Sequence, residues 1–408
     1  MSSVFPRAQE PLVAASASGC WIIDARGRRY LDASGGAVVT GVGHGRKEVI
    51  AALTAQLSQL DYVHASAFTS EITEEYCRSI AGLVPMKDAR VYPVSGGSEA
   101  TETVLKMARA YQMAQGRPER TVLVGREGSY HGNTLGALDL SGRPHLRAPY
   151  EPWLGRFDHL PPVYEYRCVC PSHPTGCGKW HGDQLEAAIN ARHDVAAFIA
   201  EPISGASLAA AVPPDDYWPA IAEVCRRHDV LLIVDEVMTG FGRTGKWFGI
   251  EHWGVEPDLI ICGKGASSGY WPLGLAIASG RVFDAIGERF VHGYTYSHHP
   301  GGSAVGQVVI DIISREELVG AAARHGERLK GELETALLGR VGDVRGRGLL
   351  IGVELFAARD AVVAAARRLG LLVYPAAIVG ILLGPPLIIG DSEIEQIVER
   401  FDLALSAI

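Results

Sequence analysis

Five short apolar runs alternate with amphipathic stretches through the middle of the chain, and this rhythm restricts the fold more than any other feature. The runs are Arg90–Val94, Thr121–Val124, Ala196–Ala200, Leu231–Val234 and Asp258–Cys262. Between them, Glu99–Gln115 carries Val104, Met107, Ala108 and Tyr111 at helical spacing and meets a stop at Gly116. Asp215–His228 opens on acids and closes on Arg226, Arg227 and His228, the charge order that a helix dipole favours. Strands alternating with helices predict an α/β fold with a mostly parallel sheet covered on both faces. The 408 residues are enough for one large domain and smaller parts, at about 150 residues per domain.

The flanks follow other patterns. Residues 19–36 read as a short hairpin turning at Asp24-Ala25-Arg26-Gly27, residues 41–46 as a turn and 46–60 as a helix. Residues 141–183 are rich in Pro, His, Cys and Gly and predict a long surface excursion. From about 315 a charged helix (Glu316–Leu338), a strand (Gly348–Leu355), a helix (Asp360–Arg368), two uncharged strands and a last helix (Ser392–Ala407) suggest a separate small α+β unit. The expected division is an N-terminal segment, 1–50, joining the small domain, a large domain, 51–312, and a C-terminal small domain, 313–408.

Leu369–Gly390 carries no charge and is long enough to span a bilayer, but Pro375, Gly380, Gly384, Pro385 and Pro386 interrupt it. It reads as two buried strands around a turn. Net charge is −8 and no long Lys/Arg run exists, which argues against nucleic acid or an anionic membrane as partner. Seven cysteines in a long chain, with no basic start and apolar core at the N-terminus, suggest reduced thiols and a cytoplasmic protein.

Polar features cluster at predicted strand ends, where open α/β sheets bind ligands. Asp235 and Glu236 end one run, Glu201 ends another, Lys264 follows a third, and Ser95-Gly96-Gly97-Ser98 follows a fourth. Each also has a plain reading. An acid at a strand end can be a turn residue, Ser98 can be an ordinary helix cap, and Lys264 can be a solvated loop lysine. Read functionally, the Gly-Gly-Ser turn opening a helix suits a phosphate. A lysine beside a buried strand loses hydration and becomes nucleophilic.

Other motifs do not compete with these. No Gly-Lys is followed by Ser or Thr, so there is no P-loop. Gly346-Arg-Gly348 misplaces the third glycine of a dinucleotide fingerprint. Gly265-Ala-Ser267-Ser-Gly269 matches the G-x-S-x-G elbow of serine hydrolases, but no convincing helix follows it. Cys168, Cys170, His173, Cys177 and His181 have a spacing that could hold zinc, though not that of a standard finger; no metal is expected in the active site.

Taken together, LLIVDEVMTGFGRTG at 231–245 and GKGASSGYWPLG at 263–274 resemble the class III pyridoxal-phosphate aminotransferases, of omega-aminotransferase type. The resemblance continues through YLDASGG at 30–36, SGGSEATE at 95–102, SYHGNTLGAL at 129–138, AEPISG at 200–205, HGYTYSHHP at 292–300, VRGRGLLIGVEL at 344–355 and GPPLII at 384–389. It implies a fold type I homodimer with pyridoxal 5'-phosphate at the subunit interface. By matching positions, Lys264 would form the Schiff-base link and Asp235 would pair with the pyridine nitrogen. Tyr130 and Val237 would flank the ring, and His131 would contact the cofactor. Glu201 would support the hydroxyl side of the ring. Gly97 and Ser98 would hold the phosphate, with Thr295 reaching it from the neighbouring subunit. The implied reaction is ping-pong transfer of an amino group from a primary amine or amino acid to a keto acid or aldehyde. Racemases, epimerases and a decarboxylase share the same fold and lysine.

The chain departs from that pattern at recognition positions. Members that clamp an amino acid carboxylate often place arginine three residues before the Pro-Pro pair, where this chain has Leu382. One branch pairs that arginine with an acid at the position of Ala206, and some members have arginine at the position of Asn133. An apolar pocket is expected, suited to a donor without an α-carboxylate or with its carboxylate held elsewhere. Tyr62, His64 and Phe68 are candidates to line it, or else pack a helix-to-loop junction. His298 stands where a small residue usually precedes His-Pro.

Overall fold

The computed structural model describes residues 3–5, 11–287, 290–356, 358–376 and 380–408. An eight-stranded central sheet organises them. Its order is Arg90–Val94, Gly274–Ala278, Leu259–Cys262, Leu231–Asp235, Val195–Ala200 and Val122–Glu127, with Ser141–Gly142 and Asp158–Leu160 both paired to the last. Gly274–Ala278 runs antiparallel to both neighbours, and the remaining pairings are parallel. Burial on both faces explains the unbroken apolar runs: all six residues of Val195–Ala200 and all four of Leu259–Cys262 are buried. Each large side chain there, such as Phe198 or Ile260, contributes about 2 kcal/mol through lost apolar exposure.

The expected helices form as Lys47–Gln59, Gly97–Ala114 and Tyr217–His228. Val104, Met107, Ala108 and Tyr111 are the buried stripe of the second. The excursion is less detached than its composition suggests. Two short strands within it join the sheet edge, and its tail from Cys177 is the helix Cys177–Arg192. Gly142 makes the first of these strands possible, since a Cβ there would lie 2.2 Å from the Arg126 carbonyl oxygen.

Toward the C-terminus, Val341–Arg347, Leu350–Leu355, Gly380–Leu383 and Tyr374–Ala376 form an antiparallel sheet. Helices Leu318–Ala336, Arg359–Arg368 and Asp391–Ser406 accompany it. The expected Gly348–Leu355 strand is thus half of a hairpin. Its partner, Val341–Arg347, carries charges that mask a strand pattern but pair across the sheet, as Arg345 does with Glu354. The uncharged stretch supplies two strands of this sheet, while the turn expected between them, at 377–379, lies outside the described residues. It also supplies Leu371–Leu372, which pairs with the hairpin strand Arg29–Asp32. Among the described residues no helix is long and apolar enough to cross a membrane.

Candidate active site

Strands that run the same way end on one side of the sheet, and Glu201, Asp235, Lys264, the Gly97-Ser98 turn and the Tyr130-His131 segment all lie at or just past such ends. Ile261 pairs with Asp235 and Ala200 with Val234, so Glu201, Asp235 and Lys264 leave the sheet at one level. Beside them, Val94 leads into the Gly97–Ala114 helix, and Val122–Glu127 leads toward Tyr130 and His131. These segments enclose a cavity of ≈ 190 Å³ lined by Gly97, Ser98, Tyr130, His131, Gly132, Glu201, Asp235, Val237, Met238 and Lys264.

A directed hydrogen-bond network fixes the polar groups. Asp235 Oδ1 accepts the Val237 N–H at 3.0 Å, and Oδ2 lies 2.7 Å from His131 Nδ1. A carboxylate only accepts, so His131 donates to it from Nδ1. The Ser141 hydroxyl takes the His131 N–H at 2.8 Å and Thr101 donates to its carbonyl at 2.8 Å, which locks the segment. Glu201 Oε1 accepts from the Gly205 N–H at 3.2 Å. Ser98 Oγ, at the helix N-terminus, accepts from the Asn133 N–H at 3.1 Å. Gly132, at φ +137, allows this approach, because a Cβ there would lie 2.5 Å from Ser98 Oγ.

Burial sets the electrostatics. Lys264 is in the left-handed region at φ +42, a strained conformation for a lysine. Desolvation brings its ammonium down to about 8, against the opposing pull of Asp235 and Glu201. Burial raises the Glu201 carboxyl, partly offset by His131. Two buried polar atoms in this site, His131 Nε2 and Glu201 Oε2, have no hydrogen-bond partner. A buried amine, a carboxylate held for a proton-bearing nitrogen, a helix N-terminus and two unpartnered polar atoms suit a phosphorylated pyridine aldehyde.

The two acids that end Leu231–Asp235 diverge. Asp235 faces the cavity, whereas Glu236 accepts from the Gly249 and Ile250 N–H groups at 2.8 Å each and from Thr239. Burial lifts Glu236 to about 7, and its partners mark it as a tie to the 249–253 turn. Ser267 donates to the Trp271 carbonyl at 2.6 Å, and a short turn, Lys264–Ala266, precedes it, so the strand-to-helix elbow of a serine hydrolase does not form.

The family profile described as "Aminotransferase class-III" matches residues 4–405. The chain belongs to the class III aminotransferases. They are pyridoxal-phosphate enzymes of fold type I. It is 36% identical to the putrescine–pyruvate aminotransferase of Pseudomonas aeruginosa over 83% of this chain and 76% of that one. An (S)-enantioselective omega-transaminase from Thermomicrobium roseum superimposes with TM-score 0.95 at 36% identity, covering 100% of this chain and 96% of the other. The omega transaminase of Pseudomonas jessenii in complex with PMP does so at TM-score 0.95 and 30% identity, covering 100% and 96%.

In this aminotransferase the cavity gathers every expected cofactor contact except Thr295, which is exposed on its own chain and takes the Tyr62 hydroxyl on its carbonyl at 3.0 Å. Tyr62, His64 and Phe68 also lie outside the cavity. Tyr62 packs edge-on against Tyr296, His64 bonds Ser66, and Phe68 is exposed. Ala206 and Leu382 are buried together in one apolar cluster with Ile203, Ala209, Ala210 and Leu350. Asn133 approaches the cavity through its backbone while its side chain is exposed. Met238 and Gly132 are cavity residues that sequence reasoning did not single out, although each adjoins one that it did.

The lysine's depressed value has a measurable consequence. Only the neutral amine attacks an aldehyde, so uptake of pyridoxal 5'-phosphate by cofactor-free protein should accelerate as pH rises through about 8 and then level. Stopped-flow absorbance gives the midpoint. A midpoint at the ordinary lysine value of 10.5 would contradict the buried setting.

Proposed function

We propose that this aminotransferase takes its amino group from a primary amine lacking an α-carboxylate and passes it to a keto acid or aldehyde in two half-reactions. Bound pyridoxal 5'-phosphate supplies an electron sink and a carrier for the amino group. Asp235 keeps a proton on the pyridine nitrogen, and His131 keeps Asp235 in place. Gly97 and Ser98 at the helix N-terminus hold the phosphate. Tyr130 and Val237 bracket the ring, and Glu201 lies toward its hydroxyl side. The Lys264 amine carries a proton away from the amine-bearing carbon of the donor and returns it elsewhere, a task for which a value near 8 suits it.

The observation that carries the donor class is the shared burial of Ala206 and Leu382. Met238 lines the cavity and packs on their cluster, so the wall behind it is apolar. Replacing both members of an acid–arginine pair leaves no unpaired buried charge, which is the stable way to lose a carboxylate clamp. Nearby guanidinium groups are engaged. Arg345 bonds the Leu208 and Ala209 carbonyls and Glu354, and Arg243 bonds the Leu349 and Pro385 carbonyls. The relative named for putrescine and pyruvate fits the same reading, since putrescine bears no carboxylate.

A second reading has one specific support. The Arg143 guanidinium lies 5.6 Å from the Tyr130 ring centroid and makes no ion pair among the described residues, so it could hold a donor carboxylate at the cavity mouth. Initial rates separate the two. Simple and long-chain primary amines should exceed α-amino acids in kcat/KM by at least about tenfold, and Arg143→Ala should leave the amine rates unchanged. A preference for α-amino acids that collapses in Arg143→Ala would establish the second reading. A racemase would consume no carbonyl acceptor, and a decarboxylase would release carbon dioxide.

The same proposal includes a second copy of the chain. Thr295 lies in an exposed segment with Val291 and Tyr296, and Tyr296 also lines a cavity that reaches Ser95, next to the phosphate turn. A facing copy would cover these apolar groups and bring its own Thr295 to the phosphate. Light scattering at assay concentration should give twice the chain mass, and the mass of one chain would contradict this arrangement.

A further inference from the structure

Away from the cofactor cavity, the excursion preceding the Cys177–Arg192 helix brings three ligand-type side chains to one point. The Cys168 and Cys177 sulfurs are 3.7 Å apart, and His173 Nδ1 is 3.4 Å from the Cys177 sulfur. The ligand atoms of all three lie within 4.8 Å of one another. Tetrahedral zinc, with bonds of about 2.3 Å to sulfur and about 2.05 Å to nitrogen, requires separations of about 3.8 Å between sulfurs and about 3.6 Å between sulfur and nitrogen. The observed distances are close to both. Beside this trio, the Cys170 thiol meets Cys177 and is also bonded by Ser172 Oγ at 3.4 Å and by the Ser172 and His173 backbone, which places a fourth thiol next to the three. His181, which shares the sequence cluster, is excluded. It is buried on the helix between the rings of Trp180 and Tyr217.

We propose that Cys168, Cys170, His173 and Cys177 form a structural zinc site, closed by four protein ligands and separate from catalysis. Each coordinating thiol gives its proton to solvent as the ion enters, and no oxidant is needed. The site has a mechanical role that the surrounding contacts define. Cys177 opens a helix whose next residue, Gly178, donates its N–H to both Asp216 carboxylate oxygens, at 3.2 and 3.1 Å. One end of the clip is therefore anchored to the large sheet's helical layer. From the other end, Arg167 reaches Glu354 at 3.0 Å, and Tyr164 also bonds Glu354. Glu354 in turn holds Arg345, whose guanidinium grips the Leu208 and Ala209 carbonyls. Zinc would thus fasten the excursion that supports the loop carrying Ala206.

The test uses the full-length holoenzyme, prepared without chelator and reconstituted with zinc alone. Elemental analysis should give one zinc per chain, released in step with modification of the coordinating thiols by a mercurial. His173→Gln, at an exposed position, and Cys168→Ser should each reduce retained zinc more than tenfold in dialysis against a competing chelator. Both should keep the cofactor's visible absorbance, and both should melt at lower temperature than the parent. A parent protein that takes up no stoichiometric zinc would overturn the proposal. So would zinc retained equally by both variants, or a Cys168–Cys177 disulfide found by mass spectrometry in zinc-supplemented protein.

Discussion

Lys264→Ala is expected to give a folded, colourless protein whose transaminase activity falls by about ten-thousand-fold, the upper range for a positioned acid–base group. Two losses combine. The amine that anchors the cofactor is gone, and so is the base that moves the substrate proton. Folding should survive, because the side chain is a buried amine whose charged form burial disfavours, and its removal enlarges a cavity that exists to receive a ligand. Far-UV circular dichroism and gel filtration should match the parent. A small exogenous amine should restore part of the rate, since the missing chemistry is proton transfer. Retention of more than a hundredth of the parent activity, without added amine, would show that another residue carries the chemistry.

Asp235→Asn should cost less in rate than Lys264→Ala and should likewise leave the fold intact. The amide oxygen can still accept the Val237 N–H now held by Oδ1. Its NH2 would then face His131 Nδ1, which has donated to Oδ2, so the imidazole must move its proton to Nε2. The buried pair survives as a neutral hydrogen bond, and stability should change by about 1 kcal/mol. The negative charge that keeps the pyridine nitrogen protonated is lost, and kcat should drop roughly a hundred- to a thousand-fold, as when one preorganised electrostatic group is removed. The variant should still bind the cofactor, with an altered pH dependence of its visible band. An unchanged kcat would place the partner of the ring nitrogen elsewhere.

Much of the site was legible because a parallel sheet brings strand ends together. Glu201, Asp235, Lys264 and the Gly97-Ser98 turn each follow an apolar run, and burial on both faces makes those runs conspicuous. The strand Gly274–Ala278 was harder to read, because glycine and alanine give it little side-chain signal. Val341–Arg347 was hidden by charges that pair only in three dimensions, Arg345 with Glu354 above all. Separate parts of the chain supply Ala206 and Leu382, so their shared cluster exists only in the folded molecule. The structure also gives a physical reason for His298. It sits at φ +57, donates its N–H to the Pro93 carbonyl at 3.1 Å, and packs its ring edge-on to Tyr92 at 4.5 Å. The left-handed backbone explains the usual small residue, and the ring contact gives histidine a compensating partner. Thr295 could not be placed from one chain's geometry, because its proposed target belongs to another copy.

The central claim is that this cavity runs an amino-transfer half-reaction on a donor without an α-carboxylate. Its most direct test is the visible spectrum of the reconstituted protein, recorded before and after a simple primary amine is added with no carbonyl acceptor present. The expected result is a yellow protein that bleaches in proportion to its active sites and regains its colour when pyruvate is supplied. A yellow protein whose colour no primary amine discharges, while α-amino acids do so readily, would contradict the claim.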